Sequence, residues 1–446
     1  MDFEYSPRTA ALRRQLQEFM ERYVIPAMPR HASELTAGSR HPTVVEELKQ
    51  VARSEGLWNL FLPGLKDDEP GQRLSNLEYA PLAEIMGRVG WASEVFNCSA
   101  PDTGNMEILH LFATPAQRSR WLDPLLAGAI RSCFAMTEPD AASSDATNIQ
   151  TSIRRVGNEY VINGRKWFIS GAAHPHCKVA IVMGVTDPDG PPHRRQSMVL
   201  VPLDTPGVAI VRDLPVMQHF SAEGHCELTF RDVHVPAGNL IHEEGAGFAI
   251  AQARLGPGRV HHCMRSIGQC ELALELMCAR AAERRTFGKY LHQHGTVAEW
   301  IALSRIEIEQ ARLLVLKAAW IMDRAGPKAA AHEIAMIKAL VPRVQTTVCD
   351  RAMQTFGAMG LSADTPLALL WTWGRVLRLA DGPDEVHLRS VAKQEMQRVG
   401  ERRGMVDAYL TPSANGRWEG QEGQEGREGQ EGREGQEGQE GQEGAR

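Results

Sequence analysis

The segment Arg378-Leu-Ala-Asp381-Gly382-Pro383-Asp-Glu385 sets a carboxylate at the end of a helical stretch and breaks the chain directly after it. A carboxylate held there, if desolvated, can take a proton from a weak carbon acid. Other stretches offer chemistry of their own. Ser132 to Asp145 runs through Met136-Thr137-Glu138-Pro139 and Ser143. A loop of such small, hydroxylated and acidic residues can present backbone N–H groups to an electron-rich ring. Arg284 and Phe287 lie in Glu283-Arg-Arg-Thr-Phe-Gly-Lys289, where a guanidinium fork can hold a phosphate through paired hydrogen bonds. Lys166-Trp-Phe168-Ile169-Ser170-Gly171 puts a hydroxyl at the end of an apolar run. Taken singly, each has an ordinary explanation: a helix C-terminal Asp, a surface turn, a solvated arginine, a core or edge strand. Gln354-Thr-Phe-Gly357-Ala358-Met-Gly360 reads equally well as a helix C-cap.

These residues must be carried by ordered elements, and the hydrophobic periods divide the chain into zones. Residues 6–130 read as helical: Leu12, Leu16, Phe19, Met20 and Tyr23 share one face, Val44, Val45, Leu48 and Val51 another, and Ser75 to Val89 a third segment ended by Gly90. Near residue 131 the texture changes. Asn163-Gly164, between two runs of β-branched and aromatic residues, predicts a hairpin turn, and strands follow at 179–185, 197–201, 208–211 and 226–235. Short, regularly spaced strands indicate a small barrel or sandwich. From 245 the helical period returns, with faces through Met264, Ile267, Leu274 and Ala281 (Glu271 interrupting), through Ile306, Leu313, Val315, Ala318 and Ile321, and through Ile334, Ile337, Leu340, Val341 and Val344. Pro342 predicts a kink or boundary in the last of these. Long amphipathic helices with short connections suggest an antiparallel bundle. The Glu-Gly-Gln/Arg repeat at the end has nothing apolar to bury and is expected to be disordered.

Composition narrows the function classes. The 446 residues are 43% hydrophobic and 23% charged, enough for a large core, and the formal net charge of -6 comes with no dominant basic cluster. Nucleic-acid binding therefore has no electrostatic support. The eight cysteines are scattered and form no CxxC pair, so zinc ligation and a disulfide framework are both poor readings, no metal site is expected, and a reducing cytosol fits. No run approaches a membrane span, and the N-terminus lacks the apolar core of a secretory signal. No GxGxxG follows a strand, so a Rossmann-type flavin site is not expected.

Together, in this order, Met136-Thr-Glu-Pro, Phe168-Ile-Ser, Arg284-Arg-Thr-Phe-Gly-Lys, the Gln354–Gly360 turn and Ala380-Asp-Gly-Pro-Asp-Glu385 resemble one family, the flavin-dependent acyl-CoA dehydrogenases, over residues 6–405. The branch it looks most like is in some proteins fused to a phosphotransferase-like domain and suits long, branched or 4-hydroxy acyl chains. The resemblance implies a mainly α fold with a β domain: an N-terminal helical domain (1–130), a middle β-barrel domain (131–240), a C-terminal four-helix bundle (241–410) and the tail (411–446).

It also implies FAD as cofactor, a fatty acyl-CoA as substrate and a homodimer or homotetramer, with an electron-transferring flavoprotein as electron acceptor. Asp381 becomes the base for the α-proton. Met136 and Thr137 fall against the flavin pyrimidine ring, and Ser143 near the flavin phosphates and the CoA arm. Phe168, Ile169 and Ser170 match the strand that reaches flavin N5. Arg259 and Gly382 fall beside the thioester. Arg284 and Phe287, with Gln354, Gly357 and Ala358, are expected to reach a neighbouring subunit's FAD, and Pro383 and Glu385 to line the cofactor. Several positions depart from the family's usual residues: Asp381 stands for a glutamate, Ser170 for a threonine, Gly256 for an acid, and Asp140 and Ala142 for glycines. The rival expectations are an acyl-CoA oxidase, or another flavoenzyme on the same scaffold using dioxygen, and a catalytically silent flavin- or nucleic-acid-binding relative.

Overall fold

The computed structural model describes residues 4–217, 219 and 221–410; the Glu/Gly/Gln repeat lies outside them. The chain forms one unit through Leu388 and a second from Arg389.

The first part is helical: Pro7–Phe19 (α1), Ile25–Thr36 (α2), Thr43–Ser54 (α3), Asn76–Gly87 (α4), Ala92–Val95 (α5), Asp102–Phe112 (α6) and the short turns Pro115–Gln117 (α7) and Asp123–Leu126 (α8). The stripes visible in the sequence are buried together, Leu16 and Phe19 with Val44, Val45 and Leu48 and with Tyr79, Leu82 and Met86. The entry to α4 is fixed reciprocally: the Ser75 hydroxyl accepts the Glu78 N–H, and the Glu78 carboxylate accepts the Ser75 N–H.

Seven strands follow: Arg131–Ala135 (β1), Ser152–Val156 (β2), Glu159–Ser170 (β3), Cys177–Val185 (β4), Gln196–Pro202 (β5), Val208–Asp213 (β6) and His225–Pro236 (β7). They make one sheet in the order β1-β4-β2-β3-β7-β6, with β5 also paired to β4. The hairpin expected at Asn163-Gly164 is not there. β3 runs straight through both residues, and the turn lies earlier, at Gly157-Asn158, between β2 and β3. Asn163 instead exchanges hydrogen bonds with Asp232 on β7 (3.0 and 2.8 Å). Gly164 is needed for room: a Cβ there would stand 2.3 Å from Thr151 Oγ1. The Asn-Gly pair therefore marks a close strand approach rather than a reversal.

The β3/β7 ladder also carries two one-residue offsets. One falls between Ile162 and Gly164, with the extra residue on β7. The other falls between Lys166 and Ile169, with the extra residue on β3. Asp232 (φ 47°) and Phe168 (φ 51°) sit at these bulges.

The third part consists of Gly247–Glu283 (α9), the two-residue strands Arg285–Thr286 (β8) and Lys289–Tyr290 (β9), Gly295–Ala329 (α10), Ala331–Phe356 (α11), Leu367–Leu377 (α12), Asp384–Glu401 (α13) and Arg403–Asp407 (α14). Met264, Ile267 and Leu274 of α9 share a core with Val315 and Ala318 of α10 and with Ile334, Ile337 and Val341 of α11. Glu271, the polar break in the α9 stripe, is held between Arg305 (2.7 Å) and Arg312 of α10. Two expectations change here. α11 continues through Pro342, because burial along the helix outweighs one lost backbone bond. The interruption lies instead in α10, at Gly326 (φ 81°) before Pro327. Ile306 and Leu313 face outward rather than into the core. Among the described residues no helix is long and apolar enough to cross a membrane.

Candidate active site

Asp381 occupies the turn between α12 and α13 at φ 56°, and Gly382 follows at φ 104°. Left-handed backbone is tolerated by Asp and free of cost for glycine. A Cβ at 382 would also come within 2.9 Å of His387 Nε2. The turn is gripped from two sides. Arg259 Nε donates to the Asp381 carbonyl at 2.9 Å, and His387 Nε2 lies 3.3 Å from the same oxygen. The carboxylate points back toward α9, with Oδ2 3.4 Å from His262 Nε2 and the side chain 21% exposed. Arg259 and His262 are three residues apart, so one helix face supplies both contacts. Lys338, buried on α11, donates to the Leu377 carbonyl at the end of α12 and fixes the approach to the turn.

The charges around Asp381 set its ionisation. Burial works to raise its pKa, but His262, Arg254, Arg259 and Lys338 together hold it below the ordinary aspartate value. His262 is itself pushed down, by burial first and then by Arg265, so it stays neutral at pH 7 and the net attraction comes from the two arginines and Lys338. Arg254 links this site to the N-terminal helices: its Nε donates to Asn105 Oδ1 on α6 (3.0 Å), and its guanidinium stacks 4.0 Å above the Phe134 ring. Glu107, also on α6, is pushed up to about 8 by burial, against the pull of Arg254, and so is largely protonated at pH 7.

The loop after β1 and the end of β3 are brought together. The Trp167 N–H donates to the Thr137 carbonyl at 3.0 Å. Beneath them lies a buried ion pair: Lys166 Nζ meets Glu138 Oε1 and the Met136 carbonyl, each at 2.8 Å. The Glu138 carboxylate also accepts the N–H groups of Gln150 (2.7 Å) and Thr151 (2.8 Å). The Ser143 hydroxyl accepts the Glu138 N–H at 2.9 Å, closing the loop on itself. Thr137 is exposed. Phe168 is 47% exposed, with its ring 4.9 Å from that of Trp167. Ile169 turns its side chain into the sheet core, leaving only its backbone for a ligand. Ser170 Oγ lies 2.9 Å from His225 Nδ1 on β7.

The remaining residues singled out in the sequence stand apart from this cluster. Phe287 (φ 47°) and Gly288 (φ 78°) form the tip of the β8–β9 hairpin, Phe287 is 94% exposed, and Arg284 is exposed at its base. Gln354, Gly357 (φ 68°) and Ala358 are exposed where α11 ends. Pro383 is half-buried and Glu385 exposed at the start of α13. The acid next to them is structural: Asp384 is buried against Arg378 (2.8 Å) and Arg343 (3.1 Å).

Family models for the N-terminal, middle and C-terminal domains of acyl-CoA dehydrogenase match residues 6–129, 133–233 and 245–396. The chain belongs to the acyl-CoA dehydrogenase family. It is 55% identical over 406 residues to a Mycobacterium tuberculosis protein named "Probable acyl-CoA dehydrogenase FadE2", covering 89% of this chain and 98% of that one. It is 50% identical over 393 residues to human acyl-CoA dehydrogenase family member 11, covering 86% of this chain but only 50% of the longer human protein. A solved Mycobacterium abscessus structure, described as that of an acyl-CoA dehydrogenase, superposes with a TM-score of 0.85 at 50% identity, over 89% of this chain and all of that one. Members of this family use FAD. The residues present fit that group: the adjoining rings of Trp167 and Phe168, the exposed Thr137, a Ser170 hydroxyl set by His225, and an exposed arginine, Arg284.

Sequence reasoning missed His262, Arg254, Lys338, Glu107 and His225. His262 was in reach, one helical turn beyond Arg259 in Gly256-Pro-Gly-Arg-Val-His-His. Arg254 lies on the same helix, five residues before Arg259, while Lys338, Glu107 and His225 come from other elements, and no local pattern marks any of the four.

Proposed function

We propose that this acyl-CoA dehydrogenase converts a fatty acyl-CoA thioester to the trans-2-enoyl-CoA, with Asp381 as the base that takes the α-proton. The observation that carries it is the Asp381 carboxylate, largely desolvated yet held ionised by the cations of α9 and α11. The proton leaves the α-carbon for Asp381 Oδ, the electron pair forms the new double bond, and the β-hydrogen departs as hydride. FAD, when bound, would supply the acceptor for that hydride. The Asp381 N–H is available to the thioester oxygen as charge develops there, while Arg259 and His387 bind the carbonyl of the same residue and hold the following peptide of the turn. Aspartate is one methylene shorter than glutamate. The left-handed turn and the Arg259 contact fix where its carboxylate stands, so reach is set by backbone geometry rather than side-chain length.

On the cofactor side, Met136, Thr137 and Phe168 would cover the ring and Ser170 would hold its N5 edge. Ser143, with Arg259 and Gly382, would meet the CoA thioester arm. Pro383 and Glu385 would border the cofactor at the turn. Arg284, Phe287, Gln354, Gly357 and Ala358 would meet the FAD of a neighbouring subunit in a homodimer or homotetramer. Electrons would pass on to an electron-transferring flavoprotein, and the reaction would serve fatty acid β-oxidation.

The test is anaerobic bleaching of the flavin by a panel of acyl-CoAs, repeated in air. Bleaching that persists in air until an electron-transferring flavoprotein is added supports a dehydrogenase. Rapid reoxidation with peroxide release would make it an oxidase, and no bleaching by any acyl-CoA would remove the proposal.

A further inference from the structure

We propose that His41, His174 and His176 form a binding site for one divalent transition-metal ion of borderline softness, with Zn²⁺ as the probe. The three rings come from two remote segments. His41 lies in the connector between α2 and α3, and His174 and His176 flank Pro175 in the turn between β3 and β4. One ring nitrogen of each lies within 4.8 Å of the others. His41 Nδ1 and His174 Nε2 are 3.1 Å apart. Zinc–nitrogen bonds in tetrahedral sites put neighbouring ligand atoms about 3.4 Å apart and imidazole centroids about 5.2 Å apart. The observed centroid separations are 4.8, 4.4 and 5.5 Å, so the rings already stand near the spacing a tetrahedral ion requires.

The surroundings suit a cation. Lys49 and Arg131 lie beside the cluster, but each is matched. Lys49 pairs with Glu46 and Glu94, and Arg131 with Glu94 and Asp102. Three carboxylates thus stand against two cations. Glu46 Oε1 is 3.8 Å from His41 Nδ1 and can supply a fourth ligand, or water can. No thiolate competes: the Cys177 thiol is buried and directed at the Val179 carbonyl. An all-imidazole set with one open position favours zinc, copper(II) or nickel(II) over calcium or magnesium.

Binding has a local cost. His174 Nδ1 accepts the His176 backbone N–H at 3.1 Å, so the neutral ring carries its proton on Nε2, between the two rings. The ion takes that place, the proton moves to Nδ1, and the His176 amide must turn away. Micromolar rather than picomolar affinity is the expected result. A bound ion would pin the α2–α3 connector to the β3–β4 turn, just beyond Ser170 at the end of β3.

The experiment uses the full-length purified protein with whatever flavin it carries, freed of metal by chelator and dialysed against Zn²⁺. One zinc per chain and a zinc-dependent rise in the thermal midpoint are expected. Affinity should fall at least about tenfold in His41→Gln, His174→Ala and His176→Gln, while His193→Ala, at an exposed position elsewhere, binds as wild type. His174 is buried, so metal-free melting is recorded for each variant. If His174→Ala fails to fold, the part-exposed His41→Gln and His176→Gln variants decide. No stoichiometric zinc on the wild type, or unchanged binding in those two variants, overturns the site.

Discussion

The turn at Asp381 and the exposed group at Arg284, Phe287, Gln354, Gly357 and Ala358 are opposites in construction. Around Asp381, α9, α11 and the start of α13 converge, and polar side chains are tied to named partners within one chain. At the second region a hairpin tip offers a phenyl ring 94% exposed beside an exposed guanidinium. A large apolar ring at a hairpin tip gains nothing in water. Under the proposed function, the difference would be a division of labour: proton-transfer chemistry finished within each subunit, and one end of the cofactor site completed by a second molecule.

The largest expected effect tests the first half of that comparison. Asp381→Asn keeps shape and hydrogen-bonding capacity but cannot take a proton. Flavin bleaching by acyl-CoA should fall about a hundredfold or more, within the range of general-base loss, while flavin content stays as in wild type. If Glu385→Gln is dead and the Asn variant active, the base is Glu385.

Next comes a part of the site that belongs to neither region, the buried Lys166–Glu138 pair under the loop after β1. Glu138→Gln leaves the lysine charge buried without its partner and should cost about 3–5 kcal/mol in denaturant unfolding. A loss within the noise of the measurement would show that water reaches the pair.

Arg284→Ala then probes the second region. It should weaken FAD retention about tenfold, through loss of a charge-assisted phosphate contact, with dimer or tetramer mass unchanged. An FAD-loaded monomer in mass measurements would break the comparison outright.

The smallest effect is in pH. The Asp381 pKa is depressed in the folded protein, so its ionised form is complete above the ordinary aspartate value, about 3.9, and is lost only as pH falls through the lowered one. Bleaching by limiting substrate should therefore show no Asp381-dependent loss between neutrality and mild acid. A limb near neutral pH that vanishes in Asp381→Asn would mean that burial, not the cations, governs this carboxylate.

The sequence displayed the helical faces and most strands because their periods are local, whereas Asp381 stood out only in the company of the other family motifs, since an Asp before Gly-Pro is by itself an ordinary helix end. Asn163-Gly164 misled because the same dipeptide serves a tight turn and a close strand approach. Only Thr151, packed on the strand, distinguishes them. Pro342 does not end its helix, because a helix buried along its length can absorb a missing donor. Arg254, Lys338 and Glu107 were invisible for another reason: their roles depend on which charges meet in space, and those come from different helices, about 40 residues apart for Lys338 and more than a hundred for Arg254 and Glu107.

The bulge at Phe168 has a further consequence. In a regular strand, neighbouring side chains point to opposite faces, so two adjacent rings cannot share one. The extra residue between Lys166 and Ile169, both buried, lets Trp167 and Phe168 do so, and the opposite offset at Asp232 on β7 returns the two strands to step. Each bulge behaves as an insert that leaves the indexing of the core intact before and after it. Aromatic surface can thus be added to or taken from the outer side of this sheet one residue at a time, with no inward position changing places.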